Sequence, residues 1–257
     1  MWNNFQTDEY QGMLAETITI LGYQGDRIHA YFSSPLGVGP FPGIVLIPHI
    51  PGWDEYCRET ARRFSQHGYV VVCPDIYCRI GHGTPDEISK KSRDLGGLSD
   101  DSVMGDSAGS LEHINSLPYS NGKVGVIGMC SGGRHAFMAA CRIEGFDAVV
   151  DCWGGRVVAA PEELTPSQPV QALDYTPQLS CPILGIFGND DTNPKPEHVN
   201  ILEEELKKYK KDYQFYRYDG APHGFWYYHT DRYRPKAAMD SWDKVFEFFD
   251  LHLKEKI

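Results

Sequence analysis

The stretch Val124-Gly-Val-Ile-Gly-Met-Cys-Ser-Gly-Gly-Arg134 decides the fold. Its first half is an apolar, strand-like run ending at Gly128, and a helix starts near Gly132, so Cys130 stands on the turn between them. The spacing is that of the G-x-S-x-G nucleophile turn with cysteine in place of serine. Glycines two residues before and two after the central position let the chain turn sharply without a clash, and the side chain between them projects above the sheet. A thiol there sits at a helix N-terminus, where the dipole and free N–H groups favour negative charge. Three other readings fit less well. A buried structural cysteine suits Cys73, Cys141 and Cys152 but does not require glycines on both sides of a strand–helix turn. A dinucleotide fingerprint would need glycine at position 130. A C-x5-R phosphatase loop would need arginine where Ala136 stands.

Outward from this turn, short apolar runs at 43–47, 69–73, 148–153 and 183–187 join 124–128 as candidate strands, with 212–218 as a last one. Continuous Val/Ile-rich runs of this length suit parallel strands buried on both faces. Apolar residues at helical spacing lie between them: Cys57, Ala61 and Phe64; Leu111, Ile114 and Leu117; Val199, Leu202, Leu206 and Tyr209; Trp242, Val245, Phe246 and Phe249. The alternation predicts a mostly parallel, doubly wound α/β sheet. Upstream, residues 17–20 and 28–32 around a turn at 22–26 predict an N-terminal antiparallel hairpin. The expected organisation is one domain over 1–257, with the hairpin at about 16–33 and the core at about 40–254.

Such a sheet carries its site at the carboxyl ends of its strands. Where a nucleophile turn is present, an acid and then a histidine follow it in chain order. The run 183–187 leads into Gly-Asn-Asp-Asp-Thr-Asn-Pro (188–194), which offers Asp190 and Asp191, and 212–218 leads into Asp-Gly-Ala-Pro-His-Gly-Phe (219–225), which offers His223. The histidine would take the thiol proton and later protonate the leaving group, while the carboxylate fixes its tautomer. An aspartate after a strand is also a common turn or N-cap residue, which suffices for one of the two.

Composition narrows the function classes. The 257 residues carry 24 Lys and Arg against 35 Asp and Glu, a formal net charge of −11. A phosphate-binding groove needs a basic surface, so nucleic acid is not an expected partner. With 41% hydrophobic and 12% aromatic residues the chain can bury a sizeable core, which excludes intrinsic disorder. No apolar run nears the ~20 residues of a membrane span. The polar, acidic start MWNNFQTDEY lacks the regions of a secretory signal, and seven cysteines (Cys57, Cys73, Cys78, Cys130, Cys141, Cys152, Cys181) show no framework spacing. A cytoplasmic protein with free thiols is expected. Neither H-E-x-x-H nor paired C-x-x-C occurs, so no metal or other cofactor is expected.

On Gly-Met-Cys-Ser-Gly-Gly (128–133), Gly-Asn-Asp-Asp (188–191), His-Gly-Phe (223–225) and Pro-Asp-Ile-Tyr-Cys-Arg (74–79), the chain from about Gly22 to Phe249 resembles the dienelactone hydrolase family of α/β-hydrolases. The resemblance implies an ester or lactone hydrolase acting through an acyl-enzyme on Cys130, with Asp191 and His223 completing the triad. Asp191 is preferred because the family acid falls three residues after the loop glycine, here Gly188. It also implies an oxyanion hole from the backbone amides of Ser131 and Ile50; Ile50 follows the strand expected beside the nucleophile strand. Arg79 matches one family substrate-binding arginine. His49 stands where the lactone-specific members carry a glutamate, and Tyr227 where they carry a second arginine. Arg79, His49, Trp153 and Tyr227 are the substrate-binding candidates, for a small ester or lactone that could bear a carboxylate. Alternative functions are a thioesterase or amidase with the same triad, or a non-catalytic small-molecule-binding protein on this scaffold.

Overall fold

The structure is a computed structural model and describes residues 12–254; the polar stretch 1–11 read above lies outside them. Eight strands form one sheet: β1 (Met13–Leu21), β2 (Arg27–Pro35), β3 (Phe41–Ile47), β4 (Val70–Pro74), β5 (Ser120–Met129), β6 (Ala148–Cys152), β7 (Ile183–Gly188) and β8 (Tyr213–Tyr218). Their order is β1-β2-β4-β3-β5-β6-β7-β8. β1 and β2 form the antiparallel hairpin and β2 joins β4 antiparallel, while every other pairing is parallel. Six helices are α1 (Glu55–Gln66), α2 (Pro85–Asp94), α3 (Asp100–Ser116), α4 (Ser131–Arg142), α5 (Pro196–Lys208) and α6 (Pro235–Leu253). Among the described residues no helix is long and apolar enough to cross a membrane.

The central strands are buried on both faces, and their side chains alternate between two cores. Val45, Ile47, Val124 and Val126 join Ile114, Phe137 and Leu202 on the face covered by α2 to α5. Ile44, Leu46, Ile127 and Met129 join Phe64, Trp242 and Phe249 under α1 and α6. Phe64 sits at the middle of the second core, with T-shaped contacts to Tyr69, Trp242, Phe246 and Phe249 at 5.4 to 5.9 Å. This explains the apolar stripes of α1 and α6.

Element ends depart from the sequence expectation in a few places. Leu117 and Tyr209 are helix C-caps rather than helical residues, because each chain leaves its helix there. Trp153 lies past the end of β6 with φ of 41°. The helix α2 was not anticipated, although Thr84-Pro-Asp-Glu87 spells its capping box: the Thr84 hydroxyl accepts from Glu87 N–H and the Glu87 carboxylate accepts from Thr84 N–H.

Arg134, directly after the double glycine, fastens α4 to α3. Its guanidinium donates to both oxygens of Asp100, at 2.6 and 2.9 Å, with both side chains buried. Burial alone would raise the Asp100 carboxyl, but hydrogen bonds and charge from Arg134 and His135 outweigh it and pull it from 3.8 to about 2. Removing one member of such a pair strands the other charge, so Asp100→Ala is expected to cost about 3–5 kcal/mol in urea unfolding at neutral pH. A depressed carboxylate stabilises the fold above its unfolded value and loses that contribution as pH falls through the folded one. The wild-type urea midpoint should therefore fall more steeply than that of Asp100→Asn as pH drops from 3.8 to about 2.

Candidate active site

Cys130 occupies the β5–α4 turn with φ of 57° and ψ of −123°, a strained conformation for a residue with a Cβ. Close backbone approach enforces it. A Cβ on Gly128 would overlap the carbonyl of Gly132, and a Cβ on Gly132 would overlap the carbonyl of Ile47 at the end of β3. The Cys130 amide is anchored from β6, donating to the Cys152 carbonyl at 3.0 Å. The thiol remains half-buried rather than sealed in the core.

The loops after β7 and β8 bring Asp191 and His223 together. His223 Nδ1–H donates to Asp191 Oδ2 at 2.8 Å, and Asp191 Oδ1 accepts the Asn193 amide at 2.7 Å. A carboxylate can only accept, so the imidazole proton on that side is on Nδ1, which leaves Nε2 for Cys130. Burial opposes a charged imidazole here, but hydrogen bonds with Asp191 and Cys130 and their charges outweigh it and push His223 up to about 10. The neighbouring Asp190 is exposed and does not reach His223; its backbone N–H donates to Ala221. Geometry thus separates the two aspartates that the loop offered.

The two expected oxyanion amides lie on segments that Gly132 presses together, since a Cβ there would also crowd the Pro48 carbonyl. Ser131 is the first residue of α4, where an N–H has no intrahelical acceptor. The Ile50 N–H donates to no described residue.

The four substrate-binding candidates all make contacts within the protein. Arg79 follows β4, but its guanidinium donates to both oxygens of buried Asp106 at 2.8 and 3.0 Å and to Asp26 at 2.9 Å. Asp106 also accepts the Tyr23 amide, so this arginine ties the hairpin and α3 together. Trp153 is fully buried, and its ring packs on Phe225 and Trp226 at 5.0 Å and backs His223 at 6.5 Å. His49 and Tyr227, the two departures from the lactone-specific pattern, are bonded to each other: His49 Nδ1 lies 2.6 Å from the Tyr227 hydroxyl. The other ring nitrogen, Nε2, donates to Asp54 Oδ2 at 2.7 Å.

Asp54 went unnoticed in the sequence, although an aspartate before Glu55 and an apolar helical pattern is an N-cap signal; its Oδ1 accepts the Cys57 amide. Tyr77, which lies within the 74–79 motif but was assigned no role, has its hydroxyl 3.5 Å from Ser131 Oγ, and no sequence signal marked Asp151, whose carboxyl is buried behind the turn. Burial pushes Asp151 up to about 7, against the hydrogen bond it accepts from Gly154 N–H. The donor atoms of His49, Asp54 and Cys57 fall within 4.8 Å of one another, the spacing of a metal site. Both His49 nitrogens are engaged in hydrogen bonds, however, and burial pushes the Cys57 thiol far up, so hydrogen bonding accounts for this cluster.

A sequence model of the Dienelactone hydrolase family matches residues 28–253, a span that takes in Cys130, Asp191 and His223. A protein of Synechocystis provisionally named carboxymethylenebutenolidase is 28% identical over 246 residues, covering 93% of this chain and 97% of its own. A Bradyrhizobium protein provisionally named 2-oxo-3-(5-oxofuran-2-ylidene)propanoate lactonase is 26% identical over 246 residues, with 94% and 98% covered. A crystal structure from Klebsiella pneumoniae, provisionally named dienelactone hydrolase, superposes with a TM-score of 0.83 over 93% of this chain and 98% of that one at 24% identity. With its fold and its family match in agreement, the chain belongs to the dienelactone hydrolase family, hydrolases of the α/β-hydrolase fold.

Proposed function

We propose that the protein hydrolyses a small ester or lactone through a thioester on Cys130. The observation that carries this reading is the Asp191–His223 pair, 2.8 Å apart, on loops at the same sheet edge as a cysteine held at positive φ on the strand–helix turn. The Cys130 thiolate, paired with the His223 imidazolium, attacks the carbonyl carbon, and the carbonyl π electrons move onto oxygen. The amides of Ser131 and Ile50 hold that oxyanion. When it collapses, the C–O bond to the leaving group breaks and His223 protonates the departing alkoxide. Neutral His223 then takes a proton from water as the hydroxyl attacks the thioester. The second collapse expels the Cys130 thiolate and releases the acid, which restores the ion pair. Asp191 orients the ring and offsets its charge throughout.

A cavity of about 450 Å³ is lined by Asp190, Asp191, Thr192, Asn193, Pro222, His223 and Arg232. Arg232 makes no side-chain ion pair among the described residues. Unlike Arg79, whose guanidinium is paired with Asp106 and Asp26, it is available to an anionic substituent that reaches this cavity.

Cys130→Ala should abolish turnover of short p-nitrophenyl esters while the thermal midpoint stays near that of the wild type, and Cys130→Ser should keep only a trace. Asp191→Asn should lower kcat far more than Asp190→Asn; the reverse ranking in steady-state assays would move the acid to position 190. Arg232→Gln should raise KM for carboxylate-bearing esters more than for neutral ones, whereas Arg79→Gln should lower stability and affect both substrates alike. Acylation needs the protonated imidazole, so the pre-steady-state burst should persist into alkaline solution and fall as pH rises through about 10.

A further inference from the structure

His49 joins three segments that surround the nucleophile. Its backbone begins the turn 49–52, in which Gly52 N–H donates to the His49 carbonyl at 2.6 Å and which carries the Ile50 amide. Its Nε2–H donates to Asp54, which at the same time caps the N-terminus of α1. Its Nδ1 accepts the hydroxyl proton of Tyr227, four residues beyond His223 on the loop after β8. Both side chains of this bond are buried, His49 at 5% and Tyr227 at 7% exposure, so it is shielded from bulk solvent. Tyr56 seals the outer side, with its ring 4.8 Å from that of Tyr227 and 6.1 Å from that of His49.

The direction of these bonds follows from the donor inventory. Asp54 only accepts, so Nε2 carries the ring proton and Nδ1 is left with a lone pair, which the tyrosine must satisfy by donating. Burial opposes the charged form of Asp54, but the hydrogen bonds it accepts from His49 and the Cys57 amide hold its carboxyl below the usual range. Burial and then the charge of Cys130 push the Tyr227 phenol far up, so it stays protonated and lies within the field of the nucleophile. The chain Asp54–His49–Tyr227 is closed at both ends, with no donor left over to act on substrate. What remains for it is geometry. It sets where the Ile50 amide sits relative to the loop that holds His223.

We propose that His49 is a positioning residue of the oxyanion hole: through its bonds to Asp54 and Tyr227 it fixes the turn that presents the Ile50 amide to the carbonyl oxygen attacked by Cys130. This inference rests on the reading of Cys130 and Ile50 given under the proposed function, and it adds a role for the two residues in which the chain departs from the lactone-specific pattern. An oxyanion donor acts only where a carbonyl becomes tetrahedral. Alkylation of a thiolate by iodoacetamide is a displacement at a saturated carbon and makes no oxyanion. The two reactions at one sulfur therefore separate the oxyanion turn from the thiol–imidazole pair.

The test compares wild type, His49→Ala, His49→Gln, Tyr227→Phe and Cys130→Ala. Three quantities are read: kcat and KM for p-nitrophenyl acetate, the iodoacetamide rate at Cys130 by peptide mass, and the thermal midpoint. Displacing a preorganised donor should lower kcat of His49→Ala about 100-fold and that of Tyr227→Phe about 10-fold, with KM and the alkylation rate within about twofold of wild type. His49→Gln keeps one donor and one acceptor and should recover about tenfold of the loss. Alkylation that falls in parallel with kcat would overturn the proposal, because His49 would then act on the thiol. Unchanged kcat in His49→Ala would overturn it as well. If His49→Ala does not fold, the split between esterolysis and alkylation in Tyr227→Phe decides by the same criteria. Wild-type turnover that survives Cys130→Ala would overturn the underlying reading of the nucleophile and this proposal with it, an outcome distinct from the other two.

Discussion

Beneath Cys130 three backbones come so close that no side chain fits between them. The end of β5 meets the first turn of α4 at Gly128 and Gly132, and the carbonyls at the end of β3 press on Gly132 from the other side. This contact holds Cys130 in a backbone conformation that few residues with a Cβ adopt, and the sheet keeps it there by bonding the Cys130 amide to Cys152 on β6. It also sets the distance from the nucleophile to the turn carrying Ile50, because that turn begins where β3 stops. Strand order supplies the remainder: β3 lies on one side of β5 and β6, β7 and β8 follow in turn on the other, all parallel, so their carboxyl ends deliver loops to one edge.

Around this edge the buried charges serve mainly as fasteners. Arg134 and Asp100 join α4 to α3, Arg79 and Asp106 join the loop after β4 to α3 and the hairpin, and His49 and Asp54 join the turn 49–52 to α1. A buried pair adds little net stability over an apolar contact of the same size, because desolvation offsets the attraction. Its effect is directional. A bidentate guanidinium–carboxylate pair tolerates one relative placement of two helices, whereas an apolar contact tolerates several. Helices such as α1 and α3 thereby constrain the loops that carry the candidate site residues.

The two aspartate–histidine pairs, Asp191–His223 and Asp54–His49, have surroundings that give them different chemistry. His223 has a carboxylate on one nitrogen and the thiol on the other, so both neighbours favour its charged form. His49 has a carboxylate on one nitrogen and a phenol on the other, and the phenol fills the position that an ionisable partner would need. One histidine can move a proton to and from a reacting group. The other has both nitrogens satisfied within the protein.

The strand–helix alternation, the nucleophile turn and the order acid-then-histidine were all legible in the amino-acid sequence, because each depends on residues near one another in the chain. Hydrophobic runs of strand length, glycines at two fixed offsets and loop signals after strands are local properties. The sequence thereby determined the fold class and the family resemblance, pointed to Cys130 and His223 as candidates, and left two neighbours as candidate acids. It did not determine what long side chains touch. Arg79 and Asp106 are 27 residues apart, Asp191 and His223 are 32, and His49 and Tyr227 are 178. Pairings over such distances depend on how helices seat on the sheet, and nothing in the spacing of residues encodes the partner. Only the tertiary structure decided that Asp191 rather than Asp190 turns inward, that Arg79 is consumed by Asp106, and that the histidine and tyrosine standing in place of a glutamate and an arginine bond to each other. The physical reason is common to all three: a buried polar group must find a partner, and which one it finds is settled by packing rather than by its neighbours in the chain.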